Sequence, residues 1–578
     1  MKQYNITNNI KSFLSKNNID AIIIPTSDPH KSEYIEDYWK IREFVSNFTG
    51  SAGTVVVTRT HSGLWTDSRY FIQAEKQLPD FFTLHKIENN SPTITDWLIE
   101  NLNPKSNIGL DPKLFSISEI NDLRDKLNLN NLNITFIDDI FNDIWNNRPP
   151  LSKKELFIHD DKFNENTRSE KIKKVQDYII KNNIKQIIIS ALDEIAWLLN
   201  LRGNDIKYNP VFYAYIIVNQ NNTTLFIDNS KLNSEVKNEL KKDNIKIKDY
   251  HSIKEFLNSI IDNIEVDEKT INYDLINSIN NKCSIKYKSS FISQLKTLKG
   301  KSEIKNYKNA QIRDGVAMCN LLYWLDSTIN NKDITEIDVS DMAEKFRSEQ
   351  KNYIGLSFNT ISAYQKNAAL PHYSPDSDNP VHIKPEGIYL IDSGGQYLDG
   401  TTDITRTVAL GNVTDEQKID FTLVLKGHIR LASAKFPYGT KGYHLDTLAR
   451  YDLWLDGKNY GHGTGHGIGY FLNVHEGPIG FSQTSNNSNT IIEPGMFISN
   501  EPGYYLENEY GIRIENVIIC VKDDINNFLK FETVTYCPIA QFMTAPSNTT
   551  KTVVITLTAP TPYVNLRVDS NNHLIKCR

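Results

Sequence analysis

This chain of 578 residues lacks the features that mark several large classes of proteins. No apolar run reaches the roughly 18 residues that a transmembrane helix needs, so we expect no membrane span. Residues 1–9 are polar and lack the apolar core of a signal peptide. The five cysteines are few, odd in number and scattered, which predicts reduced, mostly buried thiols in a cytoplasmic protein rather than a disulfide framework.

The chain also lacks a large excess of charge of one sign. The formal net charge is −6 and both signs are spread along the chain, so nothing favours binding to nucleic acid or to an anionic membrane surface. Hydrophobic residues make up 39% and charged residues 23%, as in an ordinary globular protein. The length is too great for one core and predicts a multidomain protein of roughly three or four domains.

Residues 1–155 and 160–297 both show the alternation of strand and helix signals that is typical of α/β domains. In the first region, apolar strand-like runs at 21–25 and 54–58 alternate with amphipathic stretches. In the second region we expect a helix over 171–180, a buried strand over 186–190 and a short helix over 193–199. The signals recur in the same order, which indicates two similar modules in tandem. Two consecutive prolines, Pro149 and Pro150, indicate the linker, because they cannot continue a helix or a central strand.

Residues 300–540 have the pattern of an α+β domain. Ser302 is a suitable N-cap for a long helix through Leu325, and Thr414 begins a capping-box sequence. We expect a further helix over 445–455 and strands over 388–391 and 512–520. Helices on one side of a mainly antiparallel sheet would give the α+β class. The last segment, 541–578, is rich in threonine and forms an atypical C-terminal tail with no motif that indicates a function.

A glycine-rich loop in the third region is accompanied by five potential metal ligands. Residues 461–467 have the sequence Gly-His-Gly-Thr-Gly-His-Gly, and the candidate ligands are Asp392, Asp403, His466, Glu501 and Glu515. One imidazole and four carboxylates can hold two divalent cations. Paired metal ions about 3.5–4 Å apart activate a water molecule and stabilise the tetrahedral species that its attack creates. The joint arrangement therefore predicts a hydrolase.

Each of these residues alone has an ordinary alternative. Asp392 follows four apolar residues and Asp403 begins the return run of a hairpin, but either could be a turn or cap residue. The loop could be a plain turn or a phosphate cradle, although it lacks the Lys-Ser/Thr ending of a P-loop. Period-two alternation places Arg513 and Glu515 on one strand face, as in a salt-bridged surface strand. The apolar run 517–520 that follows favours a buried strand instead.

Together these segments resemble the metal-dependent aminopeptidase P family, the Xaa-Pro aminopeptidases, in its long, three-domain cytosolic form. In the third region the resemblance is carried by residues 389–397, 399–407, 462–467, 471–477, 501–505 and 511–516. In the first two regions it is carried by residues 32–35, 48–54, 65–71 and 192–203. It spans residues 5–540 and implies two creatinase-like α/β domains followed by a pita-bread α+β catalytic domain.

The resemblance implies how the five ligands divide between two metals, usually manganese. Asp392 would bind one metal, His466 and Glu501 would bind the other, and Asp403 and Glu515 would bridge them. Hydroxide activated by the two metals would then attack the carbonyl carbon of an Xaa-Pro bond. An oxygen-rich site with one imidazole suits manganese, although cobalt or zinc could occupy it.

The same resemblance implies the remaining site residues. Glu501 is the expected proton shuttle, and His475 is expected to stabilise the developing oxyanion together with a metal. His372 and His462 match histidines that contact substrate and complete the expected catalytic set. The implied substrate-binding set is His372, His462, His475, Tyr505 and Arg513.

The implied substrates are small peptides with proline at the second position, and the implied assembly is a homodimer. An Xaa-Pro bond is a tertiary amide without an N–H group, so a dedicated pocket is needed to select it. Two alternatives share the fold. A prolidase, which cleaves Xaa-Pro dipeptides, would use the same five ligands, and a pita-bread domain that has lost its metals would be a peptide-binding module. The segment-level match favours the aminopeptidase over a prolidase, and the intact ligands at all five positions argue against the metal-free module.

Overall fold

The computed structural model describes residues 2–88, 91–484 and 488–539. The predicted tail, 541–578, lies outside the described residues. Within the described ranges, no helix combines the length and the apolar character that crossing a bilayer requires.

The first region is an α/β domain whose described part contains one six-stranded sheet. Strands β1–β6 are Ala21–Pro25, Thr54–Thr58, Ser62–Asp67, Thr83–Ile87, Asn107–Leu110 and Asn133–Phe136. Helices α1–α6 are Lys2–Lys16, Ile41–Ser46, Phe71–Gln77, Ile94–Asn101, Ile117–Leu129 and Phe141–Ile144. The spatial order is β4-β3-β2-β1-β5-β6, with β1–β2 and β2–β3 antiparallel and the other pairs parallel. Both predicted strands, β1 and β2, are confirmed.

The second region repeats this topology. Strands β7–β14 are Phe157–Ile158, Gln186–Ile189, Leu201–Arg202, Ala214–Asn219, Thr223–Ile227, Ile245–Lys248, Ile264–Val266 and Ile285–Tyr287. Helices α7–α12 are Arg168–Lys181, Leu192–Leu199, Ser234–Lys242, Ile253–Asn258, Tyr273–Ser278 and Phe291–Thr297. Strands β7 and β9 form a separate pair, and the main sheet has the order β12-β11-β10-β8-β13-β14. Its parallel and antiparallel pairs occupy the same positions as in the first sheet, so the prediction of similar tandem modules is confirmed.

The third region is an α+β domain, as predicted. Helices α13–α16 are Lys301–Thr328, Glu336–Ser348, Asp415–Ala432 and Gly442–Leu455. Strands β15–β30 are Ile334–Thr335, Tyr353–Leu356, Ile361–Tyr364, His382–Ile383, Ile388–Ser393, Gly395–Tyr397, Gly400–Thr401, Ile404–Ala409, Lys435–Pro437, Gly465–His466, Gly480–Phe481, Phe497–Asn500, Gly503–Leu506, Tyr510–Arg513, Asn516–Lys522 and Phe528–Thr533. All pairings among these strands are antiparallel in the described part of the chain.

Two local expectations for this domain were wrong. The long helix α13 is capped by Gly300, not Ser302, because the Glu303 carboxylate accepts the Gly300 backbone N–H at 2.9 Å. Ser302 lies in the first turn and donates to Glu165 of the second domain. The other predicted cap is confirmed, because Thr414 caps α15 through a capping box.

The predicted strand over 512–520 is two strands, β28 and β29. The break occurs because Ile514 donates its N–H to Pro502, whereas Glu515 donates its N–H to Thr405. Residues before the break pair with β27 and residues after it pair with β26. Residues 517–520, which follow the break, are all 0% exposed, so the expectation of a buried apolar strand is confirmed there.

The second domain packs directly against a loop of the third domain. The buried Arg202 donates through Nε to the carbonyl of Phe471 at 2.6 Å and through Nη2 to that of Tyr470 at 3.3 Å. Leu472 belongs to the same apolar core as the first two domains. The loop that leads to His475 is therefore anchored by a neighbouring domain.

Candidate metal centre

Four of the predicted ligands lie in or directly beside two pairs of neighbouring antiparallel strands. Asp392 lies in β19, and Asp403 immediately precedes its neighbour β22. In the same way, Glu501 immediately follows β26, and Glu515 immediately precedes its neighbour β29. Strand pairing therefore brings each acidic pair together, one pair from each of two sheets.

Hydrogen bonds from β22 join the two sheets at the site. The carbonyl of Thr405 accepts the Glu515 backbone N–H at 3.2 Å, and its hydroxyl donates to Glu515 Oε2 at 2.7 Å. The guanidinium of the buried Arg406 donates to the Glu515 carbonyl at 2.7 Å. These contacts fix the carboxylate of Glu515 relative to the first acidic pair.

The imidazole of His466 points its Nε2 atom at the acidic residues. Because a carbonyl only accepts, the 2.9 Å contact of Nδ1 with the Gly467 carbonyl makes Nδ1 the donor and leaves the lone pair of the neutral ring on Nε2. This Nε2 lies 3.4 Å from carboxylate oxygens of both Asp403 and Glu501. Potential ligand atoms of Asp403, His466 and Glu515 all lie within 4.8 Å of one another.

The glycines beside His466 are required by close backbone contacts. A Cβ on Gly465 would lie 1.9 Å from the Ser499 carbonyl oxygen, and a Cβ on Gly467 would lie 2.1 Å from that of Glu476. Neither distance is possible without moving backbone. The glycine-rich sequence thus lets the His466 loop approach two neighbouring segments.

Burial raises the affinity of the acidic cluster for protons. It raises the pKa of Asp392 to about 6, with Arg513 opposing the rise and neighbouring carboxylates adding to it. Burial also raises the pKa of Glu501 and, together with the surrounding carboxylates, brings the pKa of Glu515 well above its usual range. Burial alone would lower the pKa of His466, but the adjacent carboxylates outweigh it and raise that pKa to about 9.

These residues fit divalent cations. Four carboxylates converge with one imidazole, and the Arg513 guanidinium donates to Oδ2 of Asp392. The other oxygen of Asp392, Oδ1, is buried without a hydrogen-bond partner among the described residues. A buried carboxylate oxygen without a donor is costly unless a cation binds it. The donor set is the oxygen-rich type, with one nitrogen, that manganese accepts.

Arg513 connects the predicted ligands to the predicted substrate-binding residues. It donates to Asp392 Oδ2 at 2.7 Å, to the hydroxyl of Tyr505 at 2.7 Å and to that of Thr405 at 3.2 Å. The Tyr505 hydroxyl in turn lies 2.8 Å from His462 Nε2. His462 Nδ1 contacts a backbone carbonyl, so Nε2 is the acceptor of the Tyr505 proton. Arg513 and Tyr505 therefore orient both Asp392, a predicted ligand, and His462.

The structure places His372 beside the same network. The carbonyl of the preceding Pro371 accepts from Arg513 at 3.3 Å. Burial, with nearby arginines adding to it, lowers the pKa of His372 well below its usual range. Burial and Arg513 lower the pKa of His462 to about 3. Both imidazoles are therefore neutral at pH 7.

The first domain contributes side chains that the sequence did not assign to the site. His475 lies against His466, with ring centroids 4.2 Å apart, and its Nδ1 donates to Glu33 Oε1 at 2.5 Å. Burial alone would raise the pKa of Glu33, but His475 outweighs this effect and lowers it. The ring of Tyr70 lies 5.5 Å from that of His372. Glu33 and Tyr70 fall in segments 32–35 and 65–71, which carried the family resemblance. That resemblance was the sequence signal that could have assigned them to the site.

Comparisons with known families match three consecutive stretches of the chain. Residues 305–522 match the metallopeptidase family M24. Residues 7–143 and residues 147–303 each match the creatinase/prolidase N-terminal domain.

Individual relatives match most of the chain. Xaa-Pro aminopeptidase 1 of Dictyostelium discoideum is 41% identical over 552 residues, which cover 92% of this chain and 87% of that protein. The crystal structure of X-prolyl aminopeptidase from Caenorhabditis elegans, described as a cytosolic enzyme with a di-nuclear active site, has a TM-score of 0.87 and 35% identity. It covers 91% of this chain, and 88% of its own chain is matched.

A dipeptidase matches a smaller part. The structure of Xaa-Pro dipeptidase from Bacillus anthracis has a TM-score of 0.53 and 25% identity, and covers 64% of this chain but 99% of its own. These aminopeptidases therefore match a larger share of this chain than the dipeptidase does. With two creatinase-type N-terminal domains ahead of an M24 metallopeptidase domain, the chain belongs to the Xaa-Pro aminopeptidase family.

Proposed function

We propose that this protein is a metal-dependent aminopeptidase that hydrolyses the first peptide bond of peptides with proline at the second position. The observation that carries the proposal is the convergence of Asp403, His466 and Glu515, with Asp392 and Glu501 beside them. The substrate class is supported by relatives named for Xaa-Pro cleavage that cover about nine tenths of the chain.

Two divalent metal ions, which we propose to be Mn²⁺, would be held by Asp392, Asp403, His466, Glu501 and Glu515. When bound, such a pair activates water and polarises the scissile carbonyl. The oxygen-rich donor set supports manganese over zinc, which favours more nitrogen and sulfur ligands.

The chain's own residues supply proton transfer and orientation. Glu501 is the proposed proton shuttle, since burial raises the pKa of its carboxyl and so favours proton uptake. Ser499 donates to Glu501 Oε1 at 3.1 Å and orients it. His475 is held by Glu33 through Nδ1, which directs its Nε2 away from that contact. In its imidazolium form, in which both ring nitrogens carry a proton, His475 is the proposed Nε2–H donor to the developing oxyanion.

The neutral histidines His372 and His462 are the proposed substrate contacts, together with Tyr505 and Arg513. Arg513 fixes the Tyr505 hydroxyl, which fixes the His462 ring, so these groups are oriented before substrate binds. Neutral rings place no fixed charge beside the proline, whose nitrogen carries no hydrogen in the scissile amide.

The test is a peptide panel with manganese-loaded enzyme. We expect release of the first residue from Xaa-Pro-Xaa peptides and no cleavage of matched Xaa-Ala-Xaa peptides. Cleavage of Xaa-Pro dipeptides alone would favour the prolidase alternative. Binding of these peptides without turnover, with any divalent metal, would favour a metal-free binding module.

We also propose a homodimer in the cytoplasm, with domains at 1–155, 160–297 and 300–540. Helix α16 exposes Tyr451, Trp454 and Leu455, an apolar patch that would be covered in a dimer. The C. elegans neighbour is described as cytosolic, which supports the location. Light scattering of the Trp454→Asp variant against the unmodified protein tests the assembly, and limited proteolysis tests the domain boundaries.

A further inference from the structure

A buried charge cluster lies directly behind His475. The next residue, Glu476, is 2% exposed and both its carboxylate oxygens are paired. One oxygen contacts Lys299, and the other lies 3.1 Å from Lys296. Both lysine side chains are 2% exposed. Buried ion pairs of this kind cost desolvation free energy, so their value to the protein lies in holding particular groups in place.

Lys299 joins the two loops that carry the site histidines. Its Nζ donates to the carbonyl of Ile468, two residues after His466, at 2.9 Å, as well as to Glu476. The backbone N–H of Glu476 donates to the Gly467 carbonyl at 2.8 Å. One ammonium group therefore holds the His466 loop and the His475 loop against each other.

Lys296 extends the cluster into the second domain. Besides Glu476, it contacts Asp193 Oδ2 at 2.8 Å, near the start of α8. The adjacent Glu194 is buried, and burial raises its pKa to about 8, so it is uncharged at pH 7. The positive charges of Lys296 and Lys299 are then balanced by the negative charges of Asp193 and Glu476. The cluster is complete only when the second domain is in place.

We propose that Lys299, Lys296 and Glu476 are positioning residues for the metal site, and that Asp193 makes the second domain part of this support. They act through His466 and His475 and touch neither metal nor substrate. The inference rests on the proposed function for its kinetic readout, but metal binding to the His466 loop tests it separately.

The positioning role is inferred from the close backbone contact between the His466 loop and the His475 loop. A Cβ at Gly467 would meet the Glu476 carbonyl at 2.1 Å, so the two loops are already at closest approach. Losing the ammonium group that clamps them lets them separate, which moves His466 Nε2 away from Asp403 and Glu501. Loss of outer-shell contacts of this type lowers metal affinity or activity by about 10–100-fold.

The experiment compares the manganese-loaded full chain with three variants, Lys299→Met, Glu476→Gln and the double variant. Lys299→Met should weaken the apparent Mn²⁺ affinity and lower kcat, each by about 10–100-fold, with KM within about threefold. The double variant should lose no more than the worse single variant, because the two side chains act as one unit. Lys308→Met is the matched control, since Lys308, which lies in α13, also pairs with a glutamate, Glu532, but is 32% exposed. It should leave both quantities unchanged.

Asp193→Asn keeps the test possible if Lys299→Met does not fold. It removes only the second-domain partner of Lys296, so we expect a severalfold loss of Mn²⁺ affinity in the same direction. A folded Lys299→Met or Asp193→Asn variant with Mn²⁺ affinity and kcat equal to the unmodified enzyme would overturn the inference. Unmodified enzyme that binds Mn²⁺ but cleaves no Xaa-Pro peptide would instead overturn the proposed function, and the affinity comparison would still decide the inference.

Discussion

Replacing Arg513 with methionine tests whether the hydrogen-bond network around the site supports the metal ligands. Arg513 is 3% exposed and donates to Asp392, Tyr505 and Thr405. Methionine keeps much of the side-chain volume but removes every donor. Asp392 would lose its guanidinium partner on Oδ2, while Oδ1 already has no partner among the described residues.

The magnitude follows from these contacts. Removing one partner of a buried ion pair costs about 3–5 kcal/mol of stability, since the other charge stays buried. The activity loss should correspond to an outer-shell contact, about 10–100-fold in kcat/KM. Without Arg513, the carboxyl of Asp392 also loses the group that opposes its pKa rise from burial, so metal has to displace a proton held more tightly.

The assay measures kcat/KM on an Xaa-Pro-Xaa peptide across a Mn²⁺ titration. Arg513→Met should show lower kcat/KM and require more Mn²⁺ for half-maximal activity. Arg430→Met is the control, since Arg430 also pairs with an aspartate, Asp452, at 2.6 Å but is 49% exposed. An exposed pair contributes at most about 1 kcal/mol, so this variant should match the unmodified enzyme. Equal kcat/KM and Mn²⁺ requirement in Arg513→Met would refute the reasoning.

Three further predictions concern other buried carboxyls. Glu501→Gln should fold normally but lose turnover, and near-normal kcat would remove Glu501 from the mechanism. Glu336 accepts hydrogen bonds from Tyr364, Asn367 and Tyr373, which surround the His372 loop, so Glu336→Gln should raise KM severalfold with little change in kcat; an unchanged KM would contradict this. Burial raises the pKa of Glu36 from 4.5 to about 7. Its contribution to stability is therefore complete below pH 4.5 and is lost as pH rises through 7, amounting to at most about 3 kcal/mol. Glu36→Gln should lack this loss, and thermal melts showing equal pH dependence in both proteins would disprove it.

Local patterns in the sequence predicted the elements that carry the site. Thr414 was identified as a cap because capping depends on residues only three positions apart. The alternation that placed Arg513 and Glu515 on one face is confirmed by Ile512 and Ile514, which lie on the other side in an apolar cluster. The repeated α/β modules also followed from local strand and helix signals.

Contacts between residues that are far apart in the sequence could not be predicted from local patterns. Glu33 and His475 are 442 positions apart, and no periodicity relates them. The break between β28 and β29 depends on which carbonyls accept the N–H groups of Ile514 and Glu515, and both carbonyls belong to segments remote in sequence or in another sheet. The helix start at Gly300 depended on a competing contact, because Glu165 from another domain takes the Ser302 hydroxyl. In each case a partner distant in sequence decides the local structure.

Anomalous diffraction at the manganese edge, on crystals grown with Mn²⁺, tests the central claim most directly. The account predicts two peaks per chain, about 3.5–4 Å apart, with Asp403 and Glu515 between them. One peak should lie beside Asp392, and the other beside His466 and Glu501. No peak among these five side chains, in crystals of enzyme that still cleaves Xaa-Pro peptides, would contradict the account.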